Sequence, residues 1–575
     1  MKDILALASL LVLVAACGAG EPEPGDVPIA DTVFNNGRIF TIDPSQVWVE
    51  AVAVKNGRYS YVGDADGLTR HIGETTTVID LGGKMAMPGI NETHAHSWQG
   101  GTKALYECNF PFTASPGEIA VIVTACVESS PDSAWITGGQ WTSSFFADND
   151  IGSPREWLDQ YSGDKAIYFE DDATHNAWVN SRALKLAGIN RNTPDPEGGS
   201  FVRDSNGDPN GLVFETAKPI VEQAIPDMTH AQNVAAIAEA VRLANSYGLT
   251  GIHEARTPPE VSPAYRQLDQ EGRLTAYAIT NMQTPRGQRS DPFDVTELEA
   301  VAEEYASTHV YTKFAKFFLD GVPTVSRSGL MIEPYVVNEE YPEATRGHSL
   351  ITQSTLIADL IELDRRGFTA KMHAAGDGSV RLALDAIEEV RKTNGPSGLR
   401  HEIAHAGYIH PEDLSRFAEL NVTADLSPYL WFPRPIINSI VEAVGDRALY
   451  YWPIKDLIES GANVAAGSDW PSVAESMNPW PAIEALVTRR NPYTNGDEAL
   501  WPEQAITLDQ ALKIFTLDGA LAYRLEHLTG SIELDKSADL IVLNQDLFDV
   551  PIESVSDTRV EQTYFEGKLV FSAED

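Results

Sequence analysis

The sequence predicts an α/β protein: a (β/α)8 TIM-like barrel with an insertion after its first strand, beside a small β-sandwich formed by the N- and C-terminal segments. Three observations support this architecture. Short β-rich apolar runs alternate with amphipathic segments, eight such runs can be counted, and both ends of the chain consist of strand-like runs. The predicted barrel strands are 85–90, 248–253, 274–280, 310–318, 368–373, 399–405, 421–427 and 462–468.

Segments with the apolar spacing of helices lie between these runs. They include 296–305, 355–366, 379–392 and 411–420. The barrel region, 88–525, is longer than the ~250 residues that such a barrel typically needs. Most of the excess lies in 100–225, which is rich in Gly, Pro, Asp and Trp. We expect an inserted subdomain over the mouth of the barrel, because loops that follow the strands lie on that face.

The two ends of the chain are predicted to be β-structure. Residues 32–87 and 526–575 contain short strand-like runs separated by turn residues such as Asn56-Gly57. Each segment alone is too small for an independently stable sheet. We therefore expect a single sandwich, built from both ends and packed beside the barrel.

The first residues resemble a bacterial lipoprotein signal. The apolar run from Ile4 to Val14 is too short to span a bilayer comfortably and is typical of a signal peptide. Because the run leads into Val-Ala-Ala-Cys, we predict a signal peptide at 1–17, lipidation of Cys17 and a tether at 18–31. The alternative is a plain secretory signal in which Cys17 is incidental. With Gly18 after the cysteine, the predicted location in a Gram-negative host is the outer membrane, on its periplasmic or cell-surface side.

The charge balance limits the partners. The chain has 83 Asp and Glu against 42 Lys and Arg, a formal net charge of −41. Such a surface repels nucleic acid and anionic membranes, so we exclude a nucleic-acid partner and expect membrane contact only through the lipid anchor. A small molecule is the expected substrate, and a homodimer is compatible with the sequence. Besides Cys17 there are only Cys108 and Cys126, which either form a disulfide or stay free, and no cysteine-based metal site can be assembled.

Side chains of the metal-ligating type follow several predicted strands. His94 and His96 follow the first strand, and alternate residues of a strand point to the same side, so both imidazoles can reach one ion. The groups at or near the ends of strands four, five, six and eight are Lys316, His373, His405 and Asp469. Each alone has a structural explanation, such as a hydrogen-bonded core histidine or a capping aspartate. Because strand ends meet at one rim of a barrel, together they predict a site for zinc or a similar divalent cation.

Longer motifs surround these positions. They are MPGINETHAH, DATHNAWVNSRALKLAGI, KFFLDG, HAAGD, GSDWP and GSIELDKSADLIVLNQDLFDVP. With the order of the candidate ligands, they resemble the amidohydrolase superfamily, and specifically its YtcJ-like, amidohydrolase-3 branch, which includes N-substituted formamide deformylases. The resemblance covers nearly all of the mature chain, and its motifs are specific in combination. One departure is Glu92, where the family commonly has Asp before the HxH pair.

The resemblance implies that His94 and His96 bind the more buried of two metal ions and that His373 and His405 bind the second. It also implies that Lys316 is carboxylated and bridges both ions, since a carbamate is an anionic ligand whereas a protonated amine would be repelled. The expected cofactor is a pair of Zn²⁺ ions, with Mn²⁺ or Fe²⁺ as alternatives. Asp469 would be a further metal ligand, and the general base and then acid when metal-activated hydroxide attacks the substrate.

The expected function is metal-dependent hydrolysis of the C–N bond of an amide or formamide. An esterase, lactonase or carbamate hydrolase would use the same residues, whereas a mononuclear deaminase would not need a lysine on strand four. A non-catalytic binding lipoprotein is an alternative of another class, but none of the expected ligand positions is missing here. The candidates for substrate contact and for an aromatic lining of the mouth are His175, His253, Arg327, Trp98 and Trp470, with Trp141 and Trp431.

Overall fold

The computed structural model describes residues 27–573, apart from ten single positions: 143, 173, 197, 286, 325, 340, 431, 434, 473 and 495. The predicted signal peptide, Cys17, residues 18–26 of the tether and Trp431 lie outside the described residues. Within the described part of the chain, no helix has the length and apolar character required to cross a bilayer.

The chain begins with short strands that belong to two different sheets. They are β1 (Thr32–Asn35), β2 (Arg38–Phe40), β3 (Trp48–Val49), β4 (Ala51–Lys55), β5 (Arg58–Gly63), the one-turn helix α1 (Ala65–Leu68), β6 (Thr77–Asp80) and β7 (Met85–Pro88). One sheet has the order β5-β4-β1-β6. Strands β2, β3 and β7 lie in the other sheet, which the C-terminal end of the chain completes.

The first barrel strand, β8 (Ile90–Ala95), and its helix α2 (Ser97–Tyr106) lead into the insertion. The insertion contains β9 (Cys108–Asn109), α3 (Pro116–Ser129), β10 (Trp135–Trp141), α4 (Phe145–Asp148), α5 (Pro154–Asp159), β11 (Ala166–Asp171), β12 (Asn176–Val179), α6 (Ser181–Leu186), β13 (Gly199–Arg203), β14 (Pro209–Glu215) and α7 (Lys218–Glu222). Its strands form one sheet in the order β13-β14-β12-β11-β10-β9. A disulfide between Cys108 and Cys126 joins β9 to α3, which decides between the two states that the sequence left open.

The rest of the barrel alternates helix and strand. Its elements are α8 (His230–Ser246), β15 (Leu249–Thr257), α9 (Ser262–Gln270), β16 (Tyr277–Gln283), α10 (Val295–Tyr305), β17 (Val310–Phe318), α11 (Gln353–Arg365), β18 (Thr369–Ala374), α12 (Asp377–Asn394), β19 (Glu402–His405), α13 (Leu414–Glu419), β20 (Thr423–Leu426), α14 (Pro435–Val444), α15 (Ile454–Glu459), β21 (Asn463–Ala466) and α16 (Trp480–Thr488). Strand β8 and strands β15 to β21 pair in parallel and in chain order. The predicted eight-stranded parallel barrel is confirmed.

The seam between the last and first strands closes at the carboxyl end, where backbone hydrogen bonds join the two chain segments. The N–H of Asp469 donates to the carbonyl of His94 at 2.6 Å, and the N–H of His96 donates to the carbonyl of Trp470 at 2.7 Å. A side chain at Gly467 would collide with the backbone of His94, 2.2 Å from its ideal Cβ, so the approach requires glycine there. The barrel is therefore nearly closed, and its seam is held where the candidate ligands lie.

The first predicted barrel strand is wrong. The run 85–90 is divided between two sheets, because β7 pairs with β2 in the sandwich and only β8 enters the barrel. Both parts are fully buried, and a single residue, Gly89, separates them, so their apolar character is continuous in the sequence. The other seven predicted strands overlap β15 to β21, with bounds that differ by a few residues.

The C-terminal end returns to the sandwich. After α17 (Leu508–Lys513) and α18 (Gly519–Tyr523), the last strands are β22 (Leu540–Leu543), β23 (Val560–Phe565) and β24 (Lys568–Ser572). They complete the second sheet in the order β24-β23-β22-β7-β2-β3. Strands from both ends thus share one sheet, and Phe34 from the facing sheet packs edge-on against Tyr564 in the core between them.

Candidate metal centre

The six predicted ligands meet at the carboxyl rim of the barrel. His94 lies within β8 and His96 directly after it; Lys316 and His373 lie in β17 and β18; His405 ends β19; Asp469 follows β21. Parallel strands bring these ends together although the residues are up to 375 positions apart in sequence (469 − 94). The rim is thus the place where the sequence-predicted residues converge.

One half of the rim is a compact group of His94, His96 and Asp469. Their ligand atoms all lie within 4.8 Å of one another. Oδ1 of Asp469 is 3.4 Å from Nε2 of His96 and 3.6 Å from Nε2 of His94. Nδ1 of His96 is buried and has no hydrogen-bond partner among the described residues. Two imidazoles and a carboxylate at this spacing form a donor set suited to one divalent cation.

The other half of the rim continues from the same His94. The His405 ring lies between two imidazoles, with its centroid 4.8 Å from that of His94 and 4.5 Å from that of His373. Nζ of Lys316 lies 3.2 Å from Nε2 of His94. The structure therefore brings all six predicted residues into one connected cluster.

Burial sets the protonation of these groups. It lowers the pKa of each of the four imidazoles, and for His373 burial together with the charge of Lys316 gives a value of about 3. A neutral imidazole is the form that binds a metal. Burial, and then the nearby charge of Lys371, lowers the pKa of Lys316 to about 7. The cluster is thus in a state that fits a divalent cation.

Two candidate ligands have unusual backbone conformations. His405 has φ +69° and Asp469 has φ +60°, in the left-handed region that non-glycine residues adopt uncommonly. The hydrogen bond from Asp469 N to the carbonyl of His94 holds the second of these in place. Such conformations concentrate at functional sites, where the surrounding structure stabilises them.

A second set of charged groups lies directly beneath the rim, and the sequence interpretation missed it. Asp425 on β20 accepts from Nδ1 of His94 at 2.8 Å and from Oγ1 of Thr93 at 2.6 Å. Lys371 on β18 donates to the same carboxylate at 2.6 Å. A signal was available: Lys371 and His373 are two residues apart on one strand and therefore point to the same side.

The loop after β17 is organised by Asp320. Its carboxylate accepts the N–H groups of Leu330, Ala375 and Gly376, at 2.8 to 3.0 Å, and the hydroxyl of Ser379 at 2.7 Å. Burial raises the pKa of Asp320 to about 6. These hydrogen bonds hold the loop against the segment that follows His373.

Two proposed substrate contacts are buried among other side chains. His253 is fully buried, and its ring packs edge-on against Phe314 and Tyr523. Arg327 donates to the carbonyl of Val336, and its guanidinium stacks on Tyr341 at 4.0 Å. Arg327 therefore holds its own loop together. The directions of both side chains depend on packing that periodicity does not reveal.

The tryptophans predicted to line the mouth have different surroundings. The indole of Trp98 donates to Asn233 on α8, and Trp141 is buried in the insertion, where it donates to the carbonyl of Phe169. Trp470 packs against Gly100, where any Cβ would come within 2.0 Å of its ring. It forms one wall of a cavity of about 330 Å³ between α2, α8 and the insertion.

His175 is brought near the rim by the insertion. Its Nδ1 lies 2.9 Å from Oε2 of Glu215, and its side chain is 26% exposed. Its charge is close enough to contribute to the lowered pKa of His373, after burial and Lys316. The insertion therefore carries an ionisable pair, His175 and Glu215, whose charge is felt at His373.

The fold and the rim together define a family. A family model described as the amidohydrolase family matches residues 77–571, so the chain belongs to that family. This confirms the resemblance read from the motifs. The protein is a hydrolase of the amidohydrolase family, and His94, His96 and Asp469 form a group able to hold a metal ion.

Individual relatives agree with this assignment. The chain is 26% identical over 544 residues to the putative amidohydrolase YtcJ of Bacillus subtilis, covering 94% of this chain and 99% of that protein. It is 25% identical over 561 residues to the N-substituted formamide deformylase of Arthrobacter pascens, covering 94% and 98%. Its fold is similar to an uncharacterized metal-dependent hydrolase from Pyrococcus furiosus, with a TM-score of 0.69, 23% identity and coverage of 90% and 99%.

Proposed function

We propose that the protein hydrolyses the C–N bond of an amide or formamide at a centre of two divalent cations. The single observation that carries this proposal is the convergence of four imidazoles, a carboxylate and a buried amine from separate strands at one rim. The N-substituted formamide deformylase similar to this chain over 94% of its length supports the choice of bond.

Each half of the rim would hold one of the two cations. His94, His96 and Asp469 would hold one ion, and His373 and His405 the other. Lys316 would serve both as a carbamate: its uncharged Nζ attacks the carbon of carbon dioxide, an N–C bond forms as one C–O π bond opens to leave the negative charge on oxygen, and the nitrogen releases one proton to water. The position of Nζ, 3.2 Å from Nε2 of His94, supports this role because an ammonium group there would repel a cation. Zn²⁺ suits this donor set best, with Mn²⁺ or Fe²⁺ as alternatives.

Divalent cations at this rim would supply Lewis acidity and lower the pKa of a water molecule. The chain itself supplies the proton transfers. Asp469 is the one carboxylate among the six rim residues, and its Oδ1 already faces the two imidazoles of the first strand. It would accept the proton of the attacking water and pass it to the leaving nitrogen. His94, Lys316, His373 and Asp469 are buried, and low exposure to water strengthens electrostatic interactions among such groups.

Hydrolysis of an ester, lactone or carbamate is the alternative activity, because the same rim groups would act on a related carbonyl. The non-catalytic alternative has no supporting observation. A matched substrate panel separates the bond types: N-formyl and N-acetyl amines against formate and acetate esters with the same apolar groups. With the zinc-loaded full chain we expect turnover of the amide series. Turnover of esters alone would contradict the proposed bond, and no turnover of either series by a metal-loaded chain would contradict both the proposed and the alternative activity.

We also propose that the chain is exported and anchored through a lipid on Cys17. The apolar run Ile4–Val14 and the cysteine that follows it support this, and the disulfide between Cys108 and Cys126 suits an oxidising compartment. In a Gram-negative host, Cys17→Ser should move the protein from the outer-membrane fraction to the soluble fraction and abolish palmitate labelling. Unchanged partition and labelling would contradict the anchor.

A further inference from the structure

A buried lysine crosses the barrel beneath the candidate metal centre. Lys371 is 0% exposed, and its amine contacts three acceptors from three other strands. It donates to the carbonyl of Thr93 on β8 at 2.7 Å and to Oδ2 of Asp425 on β20 at 2.6 Å. It also forms an ion pair with Oε2 of Glu402 on β19 at 2.7 Å. The ammonium group therefore has two hydrogen-bond acceptors and one further ion-pair partner.

Such an arrangement is not explained by stability alone. Removing two or three charged groups from water costs several kcal/mol each, and apolar residues of similar volume often serve a core as well or better. Buried charged networks instead hold neighbouring groups in one geometry when every member is satisfied. Lys371 is therefore expected to hold one of its neighbouring groups in a fixed geometry.

The contacts of Asp425 link Lys371 to the candidate metal ligand His94. Its two oxygens accept from Oγ1 of Thr93, from Lys371 and from Nδ1 of His94. Because a carboxylate can only accept, the proton of the His94 imidazole lies on Nδ1, and the lone pair of Nε2 faces the rim. The same Nε2 lies near Lys316 and Asp469. Asp425 thus sets both the tautomer and the rotation of a candidate ligand.

We propose that Lys371 is a positioning residue of the metal centre, which holds Asp425 so that His94 presents Nε2 to the cation. This inference rests on the metal site proposed above. In the absence of Lys371, Asp425 would keep the donors Thr93 and His94 on β8 but lose the donor on β18. The Asp425 carboxylate would then be held less firmly, and so would the rotation of the His94 ring that it fixes, so the ion that His94 binds would be held less tightly.

A different role for Lys371 is that of a counter-charge for Glu402. Neither oxygen of Glu402 has a hydrogen-bond partner among the described residues. Nδ1 of His253 is 3.8 Å from Oε2, so Lys371, 2.7 Å from the same oxygen, is the nearer charged group. The two roles make opposite predictions for a double variant. If Lys371 only neutralises Glu402, removing both charges restores the site; if it positions Asp425, the defect remains.

The test uses the full chain and four proteins: wild type, Lys371→Met, Glu402→Gln and the double variant Lys371→Met/Glu402→Gln. Near-UV circular dichroism of the metal-free proteins checks the fold. Zn²⁺ affinity is measured by competition with a chromophoric chelator, and the ligand geometry by the visible absorption of the Co²⁺-loaded proteins. We expect Lys371→Met and the double variant to bind zinc at the His94 site about 10- to 100-fold less tightly and to change the cobalt spectrum. Glu402→Gln should remain close to wild type.

The outcomes separate this inference from the proposed site. If wild type binds no zinc, the proposed metal site itself is wrong. If wild type binds zinc and a folded Lys371→Met protein matches it in affinity and cobalt spectrum, Lys371 is not a positioning residue. Full restoration in the double variant would also overturn the proposal, in favour of the counter-charge role. If Lys371→Met fails to fold, the double variant is used alone, because it carries no buried unpaired charge at position 402. Wild-type zinc affinity and cobalt spectrum in that variant would overturn the proposal, and a loss of affinity would support it.

Discussion

Both oxygens of the Glu92 carboxylate face the backbone N–H of Ser468, at 2.9 and 3.0 Å. This contact joins the first barrel strand to the loop that follows the last one. The same carboxylate also accepts the N–H of His94 at 2.9 Å. Glu92, the one departure noted in the HxH motif, therefore closes the barrel seam between two candidate metal ligands, His94 and Asp469.

Removing this carboxylate should weaken both the fold and the metal site. We expect Glu92→Ala to leave the buried N–H groups of Ser468 and His94 without an acceptor, a cost of about 1–3 kcal/mol for each. Thermal unfolding of the metal-free protein should show a clear loss of Tm. Glu92→Gln, which keeps an acceptor oxygen, is the control and should lose much less. An Ala variant as stable as wild type would show that the seam does not depend on this contact.

The role of Asp469 as proton carrier predicts a separation of binding from turnover. Asp469→Asn keeps an oxygen that can face a cation but cannot accept the proton of water. We expect the zinc content to stay at the wild-type level and kcat to fall by about 10²–10⁴-fold. Asp132→Asn, at an exposed carboxylate, is the matched control. If Asp469→Asn turned over substrate at nearly the normal rate, another group would be the base.

A histidine between the barrel and the sandwich predicts a pH-dependent stability. His309 lies between Asp269, 2.6 Å from Nδ1, and Glu566, 3.3 Å from Nε2. Burial acts to lower the pKa of His309, but hydrogen bonds to Glu566 and Asp269 outweigh it and raise the pKa. The stabilisation is therefore complete below the unfolded pKa of about 6.5 and is lost as pH rises through the higher folded value.

The corresponding experiment compares wild type with His309→Gln between pH 6 and pH 9. We expect the variant to melt about 1–2 °C lower at pH 6 and the difference to shrink towards pH 9. His230→Gln, at a surface histidine whose partner Gln267 is uncharged, serves as the control and should show no such trend. A His309→Gln difference that is constant with pH would mean that the histidine acts only through packing.

The disulfide should stabilise the insertion and leave the metal centre unaffected. Cys108 and Cys126 are 18 positions apart, and closing a loop of that size contributes about 3 kcal/mol in the chain-entropy model. We expect the Cys108→Ser/Cys126→Ser variant to be cleaved much faster between β9 and α3 in limited proteolysis. Its zinc content should match wild type, because all six rim residues lie on the barrel. Equal cleavage rates would show that the insertion does not need the bond.

The sequence alone located a barrel strand wherever polar turns or helices separate that strand from other apolar runs. The run 310–318 coincides with β17, since polar turns and helices bound it on both sides. The first strand could not be located in this way. Met85–Pro88 and Ile90–Ala95 form one continuous apolar run, and only the pairing partners reveal that they belong to different sheets.

The sequence predicted those site residues that can be recognised by their residue type and by their position at the end of a strand. His373 and His405 follow from that rule because a parallel barrel gathers its strand ends. His253 and Trp98 satisfy the same rule, yet one points into the packed core and the other towards α8. The direction of each side chain depends on which other residues pack around it. Those residues are distant in the sequence, so the local sequence pattern does not reveal them.

The central claim is that the rim holds two divalent cations, and a metal count on the purified full chain tests it most directly. After incubation with Zn²⁺ and removal of the excess, inductively coupled plasma mass spectrometry should find close to two ions per wild-type chain. His94→Ala and His405→Ala, if folded, should each retain fewer. A folded wild-type chain that keeps no metal, or variants that keep as much as wild type, would contradict the account.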